Sequence, residues 1–173
     1  MIIGANMPWQ YIQTESGLIL PWFTLPCLEW LVKQDISKWV VFEFGCGYST
    51  IWFRKNVNVV FSIDNNSSWA KAMTAYHTET KEKYISGIKL LFPTTPEKND
   101  LFDCIVIDGA WRLECLQNSH DRVRSGGYII IDNWEGEDFP HTKEALEILN
   151  GWECQIFKQP NHRTWKTVVF RKS

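Results

Sequence analysis

Short runs of unbroken apolar residues alternate along this chain with longer stretches in which apolar positions recur every three or four residues. An uninterrupted run of four to eight fits a strand covered on both faces, and the wider spacing fits a helix with one buried stripe. Strands are expected at VVFEF (40–44), NVVFSID (58–64), IKLLF (88–92), LFDCIVID (101–108), GYIIID (127–132), WECQIF (152–157) and TWKTVVF (164–170). Helices are expected over 22–34, from Ser49-Thr50 to residue 56, over 69–83 behind the caps Ser67 and Ser68, over 113–123 with a stop at Ser125-Gly126-Gly127, and over 141–150. Strands separated by helices form parallel pairs with helices on both faces, so the expected fold is α/β, a doubly wound, mostly parallel sheet of seven strands. The last two strands are joined only by a polar turn, so they should close one edge as a C-terminal antiparallel hairpin. The length of 173 residues suits one domain, with 1–36 as an N-terminal cap and helix segment and 37–173 as the core.

The apolar strands stop at acids. Strand one ends at Glu43-Phe44-Gly45, strand two at Asp64, strand four at Asp108 and strand five at Asp132-Asn133. In an open α/β sheet the carboxyl ends of the strands form the ligand crevice, so these groups should meet along one edge. Taken singly, each acid is as well explained by a turn or a helix cap. Gly45-Cys46-Gly47 lets a ligand approach the backbone just before a helix N-terminus, where free N–H groups favour anions. Thr50 stands where a dinucleotide loop would carry its third glycine, and no Gly-Lys-Ser/Thr follows for a phosphate loop. Ser49 can cap the next helix or bind a carboxylate there.

Composition removes several function classes. Hydrophobic residues at 45% and charged residues at 22% exclude a disordered chain, and a net charge of -2 provides no broad attraction for nucleic acid or an anionic membrane. Five scattered cysteines without a C-x-x-C pair argue for reduced thiols and against a zinc knuckle. The opening MIIGANMPWQY has neither a basic stretch nor a long apolar run, so we expect a cytoplasmic protein without membrane anchoring. His77 and His120 read as solvated helix residues, His141 as a cap neighbour within reach of the crevice, and His162 and Arg163 as a hairpin turn at the far edge.

The combination E-x-G-x-G, an acid ending strand two, an aspartate ending strand four and G-G-x-hydrophobic-D-N at strand five resembles the class I S-adenosylmethionine-dependent methyltransferases, over about residues 22–171. The resemblance implies a Rossmann-like fold. It places Glu43, Gly45, Cys46, Gly47 and Ser49 in the cofactor loop, Asp64 on the ribose hydroxyls, Asn65 beside it toward adenine, and Asp108 at both cofactor and acceptor. Where that family has an apolar residue against adenine this chain has Asn65-Asn66, so Trp69 or Trp111 would supply the stacking face.

CGYS (46–49) and IIIDN (129–133) are also similar to the metal-dependent catechol and caffeoyl-coenzyme A O-methyltransferases. That likeness implies Mg²⁺ on Asp108, Asp132 and Asn133, lowering the pKa of an acceptor hydroxyl. The lysine base of those enzymes is replaced by Trp111, with Arg112 following. The expected activity is methyl transfer to oxygen of a small molecule, with N-methylation or a non-catalytic binding module as alternatives. With so little sequence before residue 26 to cover the crevice, a small acceptor, a partner-delivered one or a homodimer would each fit.

Overall fold

Among the described residues of this computed structural model, six strands form the main sheet. The backbone is described at 2–3 and 13–14, and the chain over 20–68, 70, 101–135 and 139–173. In order, the elements are β1 (Ile2–Ile3), β2 (Gln13–Thr14), α1 (Leu25–Leu31), β3 (Val40–Phe44), α2 (Tyr48–Asn56), β4 (Val59–Ile63), β5 (Phe102–Ile107), α3 (Arg112–Ser119), a 3-10 turn (His120–Arg122), β6 (Val123–Ile131), α4 (Thr142–Ile148), β7 (Glu153–Lys158) and β8 (Lys166–Arg171). The sheet runs β4-β3-β5-β6-β8-β7, while β1 and β2 pair separately as an antiparallel ribbon. The expected strand at 88–92, most of the helix at 69–83, His77 and Trp69 lie outside the described residues, and so does any seventh strand.

The apolar runs are strands because both of their faces are covered. Phe42, Phe44, Ile105, Ile107, Ile129, Ile131, Val168 and Phe170 point to one side, where Cys115 and Leu116 of α3 and Ala145 and Leu149 after it cover them. Val41, Cys104, Val106, Ile130 and Val169 point to the other, against Cys27, Leu28 and Leu31 of α1 and Trp52 and Phe53 of α2. Strand side chains alternate with period two, so each run feeds two cores at once. A fully buried side chain such as Phe53 is worth about 1.5–3 kcal/mol.

Three boundaries differ from expectation. Strand β6 begins at Val123, because Val123 pairs with Phe102 and the register then shifts, so Ser125-Gly126-Gly127 is a bulge inside a strand instead of a helix stop. The cap of the helical turn at Ser67-Ser68 is Asn66, whose Oδ1 accepts the Ser68 N–H at 3.1 Å. Helix α1 is shorter than 22–34, with Pro26 in its first turn, and its leading N–H groups bond to the distant hairpin: Thr24 N–H to Thr167 Oγ1 at 2.9 Å and Leu25 N–H to Gln159 Oε1 at 2.8 Å. The hairpin is as expected, with β8 antiparallel to both β6 and β7.

Candidate functional site

Strand order places the site. The chain leaves β3 for β4 on one side and returns to β5 on the other, and ligands bind at such a switch point, outside the carboxyl ends. The loops after β3 and β5 touch here. Gly45 has φ +95, and a Cβ on it would lie 2.7 Å from Asp108 O and from Gly109 N. Gly45 therefore answers to the neighbouring loop. Gly47 has an extended φ of -177, and a Cβ on it would meet no atom within 4 Å. Its missing side chain leaves a bare backbone cradle at the start of α2.

Glu43 braces this loop from below. Completely buried at the end of β3, its carboxylate accepts hydrogen bonds from the hydroxyls of Ser49, Thr50 and Ser62, the last at 2.5 Å. Thr50 Oγ1 also accepts the Gly47 N–H at 2.9 Å. Ser62 sits directly beside Glu43 in the parallel register of β3 and β4. Ser49 thus bonds to a carboxylate of its own chain, and it lies inside the first turn of α2 with Gly47 at the cap. Across the loop, Asp64 Oδ2 accepts the Cys46 N–H at 3.0 Å and Oδ1 accepts the Asn66 N–H at 2.7 Å. The Cys46 thiol also donates to this carboxylate. Asn65 is exposed beside it.

Burial pushes the Glu43 carboxyl up to about 7, against the pull of its three hydroxyl partners. Between the ordinary carboxyl value of 4.5 and about 7 the folded chain therefore holds a proton that the unfolded chain has released. Stability from this group is greatest below that window and falls as the pH rises through it. Glu43→Gln should flatten the decline in melting temperature between about pH 5 and about pH 8, at a cost of ~1 kcal/mol because one amide oxygen replaces two acceptors. A profile identical to the parent's would remove Glu43 from the titration.

Past the glycine loop, Asp108 follows β5 with 23% of its side chain exposed. Burial raises its carboxyl to about 6, opposed by the adjacent guanidinium of Arg112. Arg112 Nη2 lies 3.6 Å from Asp108 Oδ1 and donates to Asn133 Oδ1 at 3.2 Å. Asp132 is only 2% exposed, and its carboxylate accepts the Thr167 hydroxyl at 2.5 Å and the Trp165 indole N–H at 3.2 Å. Burial, then the negative charge of Asp108, holds its carboxyl well above the usual range. The residues do not fit the divalent ion implied by the sequence: a cation side chain stands between Asp108 and Asn133, and Asp132 is committed to neutral donors. Among the described residues no group of three or more His, Cys, Asp or Glu is arranged to hold a metal.

The sequence reading placed its site acids on one edge, and the structure puts Glu43, Asp64, Asp108, Asp132 and Asn133 there. Thr50, Ser62, Trp165 and Thr167 were missed. Ser62 was signalled by a hydroxyl inside an apolar strand, whereas Trp165 and Thr167 escaped because they lie at the start of a strand. In an inserted antiparallel strand it is the start that reaches the carboxyl edge, so the turn holding His162 and Arg163 borders the site. His162 accepts the Trp165 N–H at 2.9 Å. His141 is half-exposed beside Glu144, and His120 Nδ1 lies 3.2 Å from Leu116 O. Trp111 is 54% exposed with φ +51, so it belongs to the rim of the crevice and not to the core.

No protein-family model matches the sequence, and no curated protein matches it. Solved structures do resemble it. The O-methyltransferase TomG from Streptomyces achromogenes, involved in tomaymycin synthesis and solved with S-adenosylmethionine, superposes with TM-score 0.63 at 16% identity, covering 91% of this chain and 83% of that one. Precorrin-6y C5,15-methyltransferase from Geobacter metallireducens gives 0.63 at 13% identity, covering 94% and 93%. A tRNA methyltransferase from M. jannaschii gives 0.55 at 15% identity, covering 82% of this chain and 47% of that one. The chain has the Rossmann-like fold of the S-adenosylmethionine-dependent methyltransferases, with six described strands and the C-terminal antiparallel hairpin. Among the described residues, no helix is long and apolar enough to cross a membrane.

Proposed function

We propose that this chain is an S-adenosylmethionine-dependent methyltransferase acting on oxygen of a small molecule. The observation that carries the reading is the pairing of a bare Gly47 backbone, braced by Glu43, with Asp64 across the same loop. Gly47 and the first N–H groups of α2 suit the amino-acid end of the cofactor, whose carboxylate a helix N-terminus favours. The Asp64 carboxylate, at the end of the strand next to the glycine loop, suits a hydroxyl of the ribose as a charged acceptor. Asn65 and Trp111 flank the adenine and acceptor sides.

The bound cofactor would supply a sulfonium-activated methyl group. The protein's part is to align an acceptor with it and exclude water. Asp108, with a carboxyl near 6, is ionised at neutral pH yet close enough to that pH to take a proton from an acceptor hydroxyl. Oxygen is favoured over nitrogen because a hydroxyl needs its proton removed to attack, which a carboxylate base serves, whereas a neutral amine is already nucleophilic. A cytoplasmic location, and a second copy completing the pocket, belong to the same proposal.

Calorimetry with S-adenosylmethionine, S-adenosylhomocysteine and NAD tests it. Both adenosyl compounds should bind, and Asp64→Ala should weaken them by about 1–3 kcal/mol through loss of charge-assisted hydrogen bonds. Binding of NAD alone would replace the reading with a nicotinamide enzyme. Binding without transfer to any acceptor in extracts would leave a cofactor-binding module, and methyl appearing on nitrogen would move the reaction class.

A further inference from the structure

We propose that Arg112 is the resident cation of the acceptor side, holding the position between Asp108 and Asn133 that a divalent ion would otherwise occupy. Three observations lead there. One guanidinium nitrogen, Nη2, meets both residues, 3.6 Å from Asp108 Oδ1 and 3.2 Å from Asn133 Oδ1. Two loops fix that geometry: Arg112 opens α3 directly after Trp111 at φ +51, and Asn133 follows β6 at φ +52. Asp132, the remaining acid of the cluster, is turned away from a ligand role by Thr167 Oγ1 and Trp165 Nε1.

The arrangement makes chemical sense. Two loops present an oxygen each toward one point, and the guanidinium placed there offers N–H donors and a positive charge to both at once. It cannot act as a base, so proton removal stays with Asp108, whose ionised form Arg112 favours. Arg112 is thus a positioning residue: it sets the Asp108 carboxylate and the Asn133 amide in place of a metal. The inference rests on the methyltransferase reading for its catalytic meaning but not for its geometry.

Manganese binding, followed by electron paramagnetic resonance and calorimetry on the full chain, is the test. Wild type should show no saturable Mn²⁺ site. Arg112→Ala should gain one, at least about tenfold tighter than any residual surface binding, and Asp108→Asn added to it should abolish the gain. Arg112→Met, which keeps the aliphatic stem, replaces Arg112→Ala if near-ultraviolet circular dichroism shows lost packing. A single Mn²⁺ site in wild type that Asp108→Asn removes would overturn the proposal, and so would failure of both Arg112 variants to gain a site. S-adenosylmethionine calorimetry on wild type keeps the two readings apart, because absence of cofactor binding there sinks the methyltransferase without touching the manganese result.

Discussion

Gly45→Ala should destabilise the fold by about 2–5 kcal/mol, adding the left-handed backbone penalty to an overpacked contact. The backbone there has φ +95, and the new methyl would be driven to 2.7 Å from Asp108 O and Gly109 N, backbone atoms that cannot swing aside as a side chain would. The two loops must part, and with them the junction of β3 and β5. Urea denaturation gives the measurement. A loss below about 1 kcal/mol would show that the loops accommodate a side chain, and that their contact does not require glycine.

Gly47→Val should behave in the opposite way. Its φ of -177 suits any residue and an added Cβ meets nothing within 4 Å, so the melting curve should shift little, by about 1 kcal/mol or less. Affinity for S-adenosylmethionine should fall by about 100-fold, since the branched side chain would fill the open space where the amino-acid end is proposed to pack. Unaltered affinity in a folded Gly47→Val would place the cofactor elsewhere. The two glycines, one residue apart, are thus expected to separate a folding requirement from a binding one.

The different surroundings of Gly45, crowded by Asp108 and Gly109, and Gly47, open on its Cβ side, were not legible in the sequence, where the two form a single motif. Strand alternation and the strand-end acids could be read because they follow from period-two burial and from the crevice rule, both local in sequence. Ser49 illustrates the limit. As a helix-opening hydroxyl it suggested a ligand's carboxylate, and it does donate to one, but the acceptor is Glu43. That the same carboxylate also takes Ser62, its neighbour in the next strand, depends on a register set only by the folded sheet. Arg112 shows the same limit: beside Asp108 and Asn133 it changes a predicted metal triad into an ion pair with an amide neighbour.

Thr167 has a consequence for how the molecule assembles. Its hydroxyl joins Asp132, at the end of β6, to the first N–H of the stretch that opens α1, a contact across 143 positions of chain. The stretch from Glu43 to Asn66 closes over short loops, whereas α1 finds its capping oxygens only after β8 has slotted between β6 and β7. Closing so long a loop costs entropy before it returns any contact energy. On this account α1 is placed late, and Asp132 gains its last support only when the two distant ends of the core meet.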